Sequence, residues 1–390
     1  YRSLNPDLAR AGLTTDEQLR EHFLSFGINE GRQFSQYIDL NYYTNSYPDL
    51  KNAGLTTKSQ LFNHAEQFGG TEGRRLGVVF NASYYKAVNT DLTQAGFNNE
   101  QLTQHYQNFG IAEGRRASEF FDPRFYLDTY ADLKQAFGNN YQQATQHFIN
   151  YGINEGRLGS GPVAPAYDPG STAKTAYELG SLITAPTFNE FVGTSDQQDF
   201  YRIILDKPSN LSLNLSGLSA NTTLKLYADV NGNQEIEAGE EIASTTGGAG
   251  APAVINKALG QGSYYIDVVT GSPTSNTSYS LSFAATGIAT NTPSDPGNNV
   301  GSALNINTLS GSRNYQDFVG ITDREDWYKF VLSNAASNFN LSLGGTGDLA
   351  VANLYADTNN NGSIDAGEFI ASASASSGGL GTIARTLGAG

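Results

Sequence analysis

The spacing of apolar residues changes character once along the chain. As far as Arg157 they recur in short helical groups, and from about residue 176 onward they alternate with polar residues. In the first stretch one helix-start device recurs: Thr15, Thr57, Asn98 and Asn140 are each followed three residues later by Gln18, Gln60, Gln101 or Gln143. That spacing predicts capping boxes, in which the cap side chain and the glutamine satisfy free amide donors of a first helical turn. Each predicted helix then carries Leu19, Leu61 or Leu102 and an aromatic residue at Phe26, Phe68, Phe109 or Tyr151. Gly27, Gly69, Gly110 and Gly152 follow, where a left-handed C-terminal cap would end the helix. A shorter helix precedes it, begun at positions such as Asp122-Pro123 and weighted by Tyr42-Tyr43, Tyr84-Tyr85 or Phe125-Tyr126. Pro6 and Pro48 break it ahead of an Asp-Leu pair.

These elements belong to one unit written four times. Glu-Gly-Arg recurs at Glu30, Glu72, Glu113 and Glu155, with spacings of 42, 41 and 42, and Asp-Leu at Asp7, Asp49, Asp91 and Asp132. The units run over 1–34, 35–75, 76–116 and 117–157. None can bury its aromatic residues alone, so stacked neighbours are expected to supply the core of a helical array. The chain's 4 histidines, His22, His64, His105 and His147, fall at one place in each unit. Metal ligation or pH sensing would suit histidine, but recurrence in every unit favours a shared packing contact. Arg32, Arg74, Arg115 and Arg157 are expected to pair with a carboxylate or helix end between repeats.

Residues 158–175 and 286–300 are rich in Pro, Gly and small side chains, which predicts linkers. After each the chain repeats itself: FVGTSDQQDFY from Phe191 matches FVGITDREDWY from Phe318, and Leu226–Asp229 matches Leu354–Asp357. Tyr201, Ile203 and Leu205, then Leu211, Leu213 and Leu215, and Phe339, Leu341 and Leu343 alternate with polar residues. Period two between Gly- and Asn-rich turns predicts antiparallel strands with one buried face, arranged as two β-sandwich modules over 176–285 and 301–390. The fold class is therefore multidomain α plus β. Tyr1 aligns with Tyr43 and Tyr126, so the first repeat starts late, and Gly390 aligns with Gly262. The second module thus lacks counterparts of SYYIDVV and YSLSF. The expectation is that those strands lie outside this stretch, donation by another subunit being the other source.

Two segments at the equivalent place in the modules have calcium-loop spacing. DTNNNGSIDAGE sets Asp357, Asn359, Asn361, Ser363, Asp365 and Glu368 at positions 1, 3, 5, 7, 9 and 12, with Gly362 at 6. DVNGNQEIEAGE sets Asp229, Asn231, Asn233, Glu235, Glu237 and Glu240 at the same positions, with Gln234 where the turn glycine belongs. Calcium takes six to eight hard oxygen ligands, which short acidic and amide side chains at alternate positions and a closing glutamate supply. The flanks read as strands, so these are expected as Ca2+-binding turns between strands and not as EF-hands. Asn, Asp and Gly also make polar turns without any ion. Asp196, Asp199, Asp323 and Asp326 either complete such sites or cap the turn into a strand, and the turn is the favoured reading.

Composition narrows the function. With 23 Lys and Arg against 38 Asp and Glu the net charge is −15, which repels nucleic acid and anionic membranes. No apolar run is long enough to span a bilayer. Cysteine and methionine are absent, excluding disulfides and thiol catalysis. No metalloprotease helix, serine elbow, phosphate loop or dinucleotide fingerprint occurs, so an enzyme is not expected.

The second half resembles the bacterial pre-peptidase C-terminal domain. The resemblance rests on FVGTSDQQDFY and FVGITDREDWY, the leucine-alternating strand, the LYAD loop and LGQGSYYIDV at Leu259. It implies a β-sandwich of the kind found in secreted proteases and other exported proteins. The helical units are similar to repeats of large multi-module cyanobacterial surface or secreted proteins. Together these readings point to a non-catalytic extracellular or cell-surface structural protein, in a fibre, surface layer or adhesin. Its partners would be copies of itself, other surface proteins or polysaccharide. The alternative is a carbohydrate- or substrate-targeting region of a larger secreted enzyme, with tyrosines and Trp327 as a sugar platform, although burial of Trp327 in a strand is favoured.

Overall fold

The computed structural model describes residues 1–2 and 4–390. Helices occupy the N-terminal part and mostly antiparallel sheets the C-terminal part. The chain divides into two compact units, Tyr1–Gly287 and Ile288–Gly390.

In the helical part, Asp39, Asn81 and Asp122 cap the helices Leu40–Ser46, Ala82–Val88 and Pro123–Thr129, each accepting two backbone amides. Short helices follow at Pro48–Asn52, Thr90–Gln94 and Ala131–Phe137, as one does earlier at Pro6–Arg10. Capping boxes at Thr15, Thr57 and Asn98 start Asp16–His22, Lys58–His64 and Asn99–His105, and Asn140 accepts the Gln143 amide ahead of Tyr141–His147. Each of these runs into one π-helical turn, as at Phe23–Gly27 and Tyr106–Gly110.

Two expectations for this turn are corrected. Gly27 and Gly110 do not end their helices. They keep ordinary right-handed geometry, and the left-handed caps are Gly31, at φ 73°, and Gly114, at φ 66°. Glycine is needed earlier for space. A Cβ at Gly27, Gly110 or Gly152 would fall on the hydroxyl of Tyr1, Tyr85 or Tyr126, and one at Gly69 would lie 3.0 Å from that of Tyr43. Those same hydroxyls pair with Nδ1 of His22, His64, His105 and His147, each at 2.9 Å. The second correction concerns burial. The π turn shifts the helix phase, so Phe23, Tyr106 and Phe148 are buried while Phe26, Phe68, Phe109 and Tyr151 are 50–60 % exposed.

The arginines also pair differently. Beyond the left-handed glycine the chain turns back on its own unit, so Arg32, Arg74, Arg115 and Arg157 bind Asp7, Asp49, Asp91 and Asp132 at 2.7–2.9 Å within one repeat, not between repeats. Each also holds the adjacent Glu30, Glu72, Glu113 or Glu155.

Nine strands follow in the first β unit: β1 (Tyr177–Ser181), β2 (Thr187–Val192), β3 (Gln198–Leu205), β4 (Ser209–Ser216), β5 (Thr222–Ala228), β6 (Glu241–Gly247), β7 (Ala253–Leu259), β8 (Gly262–Thr270) and β9 (Thr277–Gly287). They form a sheet ordered β1-β3-β8-β5-β6 and another ordered β2-β9-β4-β7. Alternation places Tyr201, Ile203, Leu213, Leu215, Leu224, Ile266 and Leu281 at 0 % exposure. Tyr201 meets both Phe188 and Phe283 of the other sheet. Only β1 runs parallel to its neighbour, β3.

The helical part packs directly on β1. Arg75, 5 % exposed, makes a two-pronged pair at 2.7 and 2.9 Å with Glu119, which is 0 % exposed and also accepts the Tyr177 hydroxyl. Tyr42 donates to the Leu179 carbonyl and Ser46 Oγ accepts the Ser181 amide. Gly180, at φ 71°, allows this approach, since a Cβ there would meet Ser46 Oγ at 2.7 Å. Within 158–175, Val163 pairs with Phe188 and so extends the edge at β2.

The second unit has β10 (Leu304–Thr308), β11 (Tyr328–Val331), β12 (Ser337–Leu343), β13 (Ala350–Tyr355), β14 (Phe369–Ala375) and β15 (Gly381–Leu387), paired as β10-β11, β12-β15 and β13-β14. Its core is Phe339, Leu354, Ala371 and Ile383.

Gly110→Ala should destabilise the helical part by about 1–3 kcal/mol, the usual cost of overpacking. Circular dichroism melts would show it, and Tyr85→Phe in the same chain should recover part of the loss. An unchanged melt for Gly110→Ala would show that the tyrosine hydroxyl needs no such gap.

Candidate metal centres

The turn that opens β3 and the turn that precedes β1 are tied together by the backbone, for the Phe200 amide donates to the Gly170 carbonyl at 2.9 Å. Gly170 closes an Asp-Pro-Gly turn with φ 72°, and the crossing brings Asp168 beside Asp196 and Asp199. One carboxylate oxygen from each lies within 4.8 Å of the others. The second unit repeats the device: the Trp327 amide donates to Gly297 at 3.1 Å, and Asp295, Asp323 and Asp326 converge within the same limit.

Asp199 is the inner member, at 0 % exposure. Its Oδ2 accepts the Tyr279 hydroxyl at 2.5 Å, and that hydroxyl bonds the Tyr201 hydroxyl at 2.8 Å. Its Oδ1 has no hydrogen-bond partner, nor does Oδ1 of Asp326. Burial, followed by the charges of Asp196, Asp168 and Glu190, pushes the Asp199 carboxyl up to about 8, against the pull of the Tyr279 hydrogen bond. Burial and neighbouring carboxylates raise Asp326 to about 7 and Asp323 to about 6. Three hard oxygens with a buried, unpaired acceptor make a donor set that fits a divalent cation such as calcium or magnesium. The sequence reading gave Asp196, Asp199, Asp323 and Asp326 to turn capping. Asp199 instead faces inward to a tyrosine hydroxyl. Asp168 and Asp295 were missed, although Asp-Pro-Gly stands in both connecting segments at the offset that relates the two units.

The twelve-residue loops share one hydrogen-bond scheme. Asn359 and Asn361 Nδ2 both donate to Asp365 Oδ2 at 2.7 Å, as Asn231 and Asn233 do to Glu237 at 2.9 and 3.1 Å. Asp357 accepts the Asn361 and Gly362 amides, and Asp229 Oδ2 accepts that of Gln234. Glu368 takes the Thr358 and Asp365 amides, and Glu240 those of Val230 and Glu237. The Ser363 amide donates to Asn361 and the Glu235 amide to Asn233. Glu235 also pairs with Lys174. Gln234 adopts φ 60° in place of glycine; the loops exchange glycine and non-glycine between Gly232 and Gln234, and between Asn360 and Gly362. Backbone amides hold the Glu368 carboxyl below its usual range, and amide side chains do the same for Asp365. Among the described residues the groups of three converging carboxylates are the two aspartate triads, and the loop acids form no third. Asp229 Oδ1 is nonetheless buried without a partner.

Trp327 is only partly buried. It stacks on Tyr355, with ring centroids 5.8 Å apart, and donates to Glu325.

No family model and no curated protein matches the chain. Among solved structures it is similar to the pre-peptidase C-terminal domain of a collagenase from Bacillus anthracis, with 18% identity over 25% of this chain and 87% of that one, at a TM-score of 0.21. It is similar to PliG of Aeromonas hydrophila, a periplasmic inhibitor of g-type lysozyme, with 16% identity over 26% of this chain and 86% of that one, also at 0.21. For a Yersinia pseudotuberculosis-derived mitogen the values are 20% identity, 29%, 92% and 0.19. Among the described residues no helix is long and apolar enough to cross a membrane.

A carboxyl with a raised folded pKa favours its protonated form in the fold. That contribution is whole below the unfolded value of about 3.9 and is lost as pH rises through the folded one. Without divalent ions, melting of the first β unit should therefore fall between pH 5 and pH 9, with Asp199 titrating near 8. Asp199→Asn should flatten that slope; an equally steep slope in the variant would assign it to other groups.

Proposed function

We propose that the chain is a non-catalytic extracellular structural protein, in which an array of helical repeats is followed by two pre-peptidase-C-like β-sandwich modules stiffened by calcium. The observation that carries this reading is the duplicated aspartate triad. In each unit it spans from the connecting segment to the start of the third strand position, so a bound cation would fix the connector to the sheet and relieve the repulsion of three carboxylates. The twelve-residue loops are further candidates for calcium, with ligands drawn from Asp229, Asn231, Asn233, Glu237 and Glu240, and from Asp357, Asn359, Asn361, Asp365 and Glu368. A fibre, surface layer or adhesin needs joints of this kind, and millimolar external calcium would keep them filled.

One observation favours a carbohydrate-binding role instead. Phe26, Phe68, Phe109 and Tyr151 stand exposed at one place in each repeat, each beside a histidine ring at 5.5–5.8 Å. Retention on a polysaccharide column would support that reading, whereas ordered polymers in electron micrographs, dispersed by a chelator, would support the first.

Calcium at 100 times its dissociation constant should stabilise a β unit by about 2.7 kcal/mol per site, read by calorimetry as a higher melting temperature. Titration calorimetry should find one bound ion fewer in Asp199→Asn and in Asp326→Asn. Glu368→Gln tests its loop separately. A parent chain that melts identically with calcium and with chelator would end the calcium reading.

A further inference from the structure

Each helical repeat carries a histidine, an aromatic residue and a glutamate at four-residue intervals, which sets them about one turn apart on one helical face. They are His22, Phe26 and Glu30, then His64, Phe68 and Glu72, His105, Phe109 and Glu113, and His147, Tyr151 and Glu155. The middle rings are 50–60 % exposed and lie 5.5–5.8 Å from the histidine rings. Helical bonding carries the face on to the glutamate, whose amide donates to the aromatic residue's carbonyl at 2.8 Å in the second repeat and 2.9 Å in the fourth.

Both ends of this stripe are held in place by the fold. The hydroxyls of the buried Tyr43, Tyr85 and Tyr126 meet Nδ1 of His64, His105 and His147, and among the described residues they have no other acceptor. They therefore donate to Nδ1, which leaves the imidazole proton on Nε2. Nε2 of His64 lies 3.9 Å from Glu72 Oε1. At the other end Arg32, Arg74, Arg115 and Arg157 grip Oε2 of Glu30, Glu72, Glu113 and Glu155, and the second oxygen of these half-exposed carboxylates has no hydrogen-bond donor among the described residues. Donor and acceptor are thus ordered before any ligand arrives, which lowers the cost of binding.

A flat ring set between a fixed N–H donor and a fixed carboxylate matches a pyranose, which turns a face of C–H groups to the ring and carries hydroxyls at its edge that both donate and accept. Charge narrows the choice. Each glutamate and its Asp7, Asp49, Asp91 or Asp132 neighbour share one arginine, and acidic and basic residues are close to balanced over 1–157, so little field draws a cation. The same carboxylates, with the net charge of −15, repel uronate and phosphate polymers. A second copy of the chain would need about 800 Å² of contact on each side, yet Ser25, Gln67, Asn108 and Asn150 beside the rings are polar and exposed and interrupt any apolar patch. Resting on the carbohydrate reading above, we propose that the stripes are equivalent subsites for a neutral polysaccharide, each stacking one sugar on Phe26, Phe68, Phe109 or Tyr151 with hydroxyls bonded to histidine Nε2 and to the glutamate.

Native gel electrophoresis of the full chain through dissolved β-glucan, mannan or galactan tests this, with alginate as the anionic control and a chelator present so that no cation site contributes. At least one neutral polymer should retard the chain, and alginate should not. Replacing all the stripe rings by alanine should abolish the retardation, whereas Phe68→Ala with Phe109→Ala should weaken it about tenfold, because linked subsites act together. Phe109→Trp should keep it. Where the alanine chain melts lower than the parent, Phe109→Trp decides instead: its added fluorescence should shift as polymer binds, and an unshifted emission would overturn the proposal. Retardation that survives loss of every ring would also overturn it while leaving the carbohydrate reading in place, and a parent chain that no neutral polymer retards would end both. Equal retardation by alginate would refute the neutral ligand. A concentration-dependent dimer, lost in the alanine chain, would give the stripes to a second copy.

Discussion

The buried pair of Arg75 and Glu119 is the contact on which the first unit depends. Ionised groups taken out of water are costly unless they are paired and hydrogen-bonded on every side, and removing one partner of such a pair costs roughly 3–5 kcal/mol. Here burial works against the ionised Glu119, yet the two-pronged contact with Arg75 and the Tyr177 hydroxyl hold its carboxyl below the usual range. Arg75 follows the Glu-Gly-Arg turn of the second repeat, Glu119 opens the fourth, and Tyr177 begins β1. Three segments far apart in sequence are thus fixed at one point. The Tyr42 and Ser46 contacts to β1 then follow, because Gly180 leaves room for them. The helical part and the first β unit meet through buried polar groups that hydrogen-bond one another.

The aspartate triads present the opposite electrostatic case. Arg75 neutralises Glu119, whereas the charge of Asp199 is opposed by burial and by Asp196, Asp168 and Glu190 together, with the Tyr279 hydroxyl pulling the other way. The twelve-residue loops differ again. Their acids accept amide protons from the loop itself, which stabilises the charged form and holds the loop shape. Carboxylates that crowd one another make the stronger demand for an external ion, and in that respect the triads, each with three converging acids, exceed the loops that the sequence pattern brings forward.

Internal duplication acts as a control on these readings. Gln234 and Gly362 occupy one loop position with φ 60° and 72°, so the loop fold tolerates a side chain there. Gly180 and Asn307 are likewise equivalent and both left-handed, but only Gly180 is packed under a helix, where a Cβ has no space. The same sequence pattern thus serves with and without a covering partner, and the partner decides which residues must be small.

Local chemistry was legible in the sequence by itself. The capping boxes, the Asp and Asn caps, the proline starts and the strand alternation all depend on residues within a few positions of one another, and a linear reading captures them. Tertiary structure alone decided the rest. Gly27 and Gly110 are glycine because a tyrosine from an earlier segment, Tyr1 or Tyr85, reaches them, not because the chain turns there. Phe26 and Phe109 face solvent because a π turn shifts the phase of a helix whose period looked regular. Asp168 becomes a candidate ligand only when a backbone hydrogen bond carries its turn across to β3. For the glycines and for Asp168 the deciding contact joins residues distant in sequence, and the residue types at one end of it do not name the other; for the aromatics it is a helix phase that residue types alone do not set.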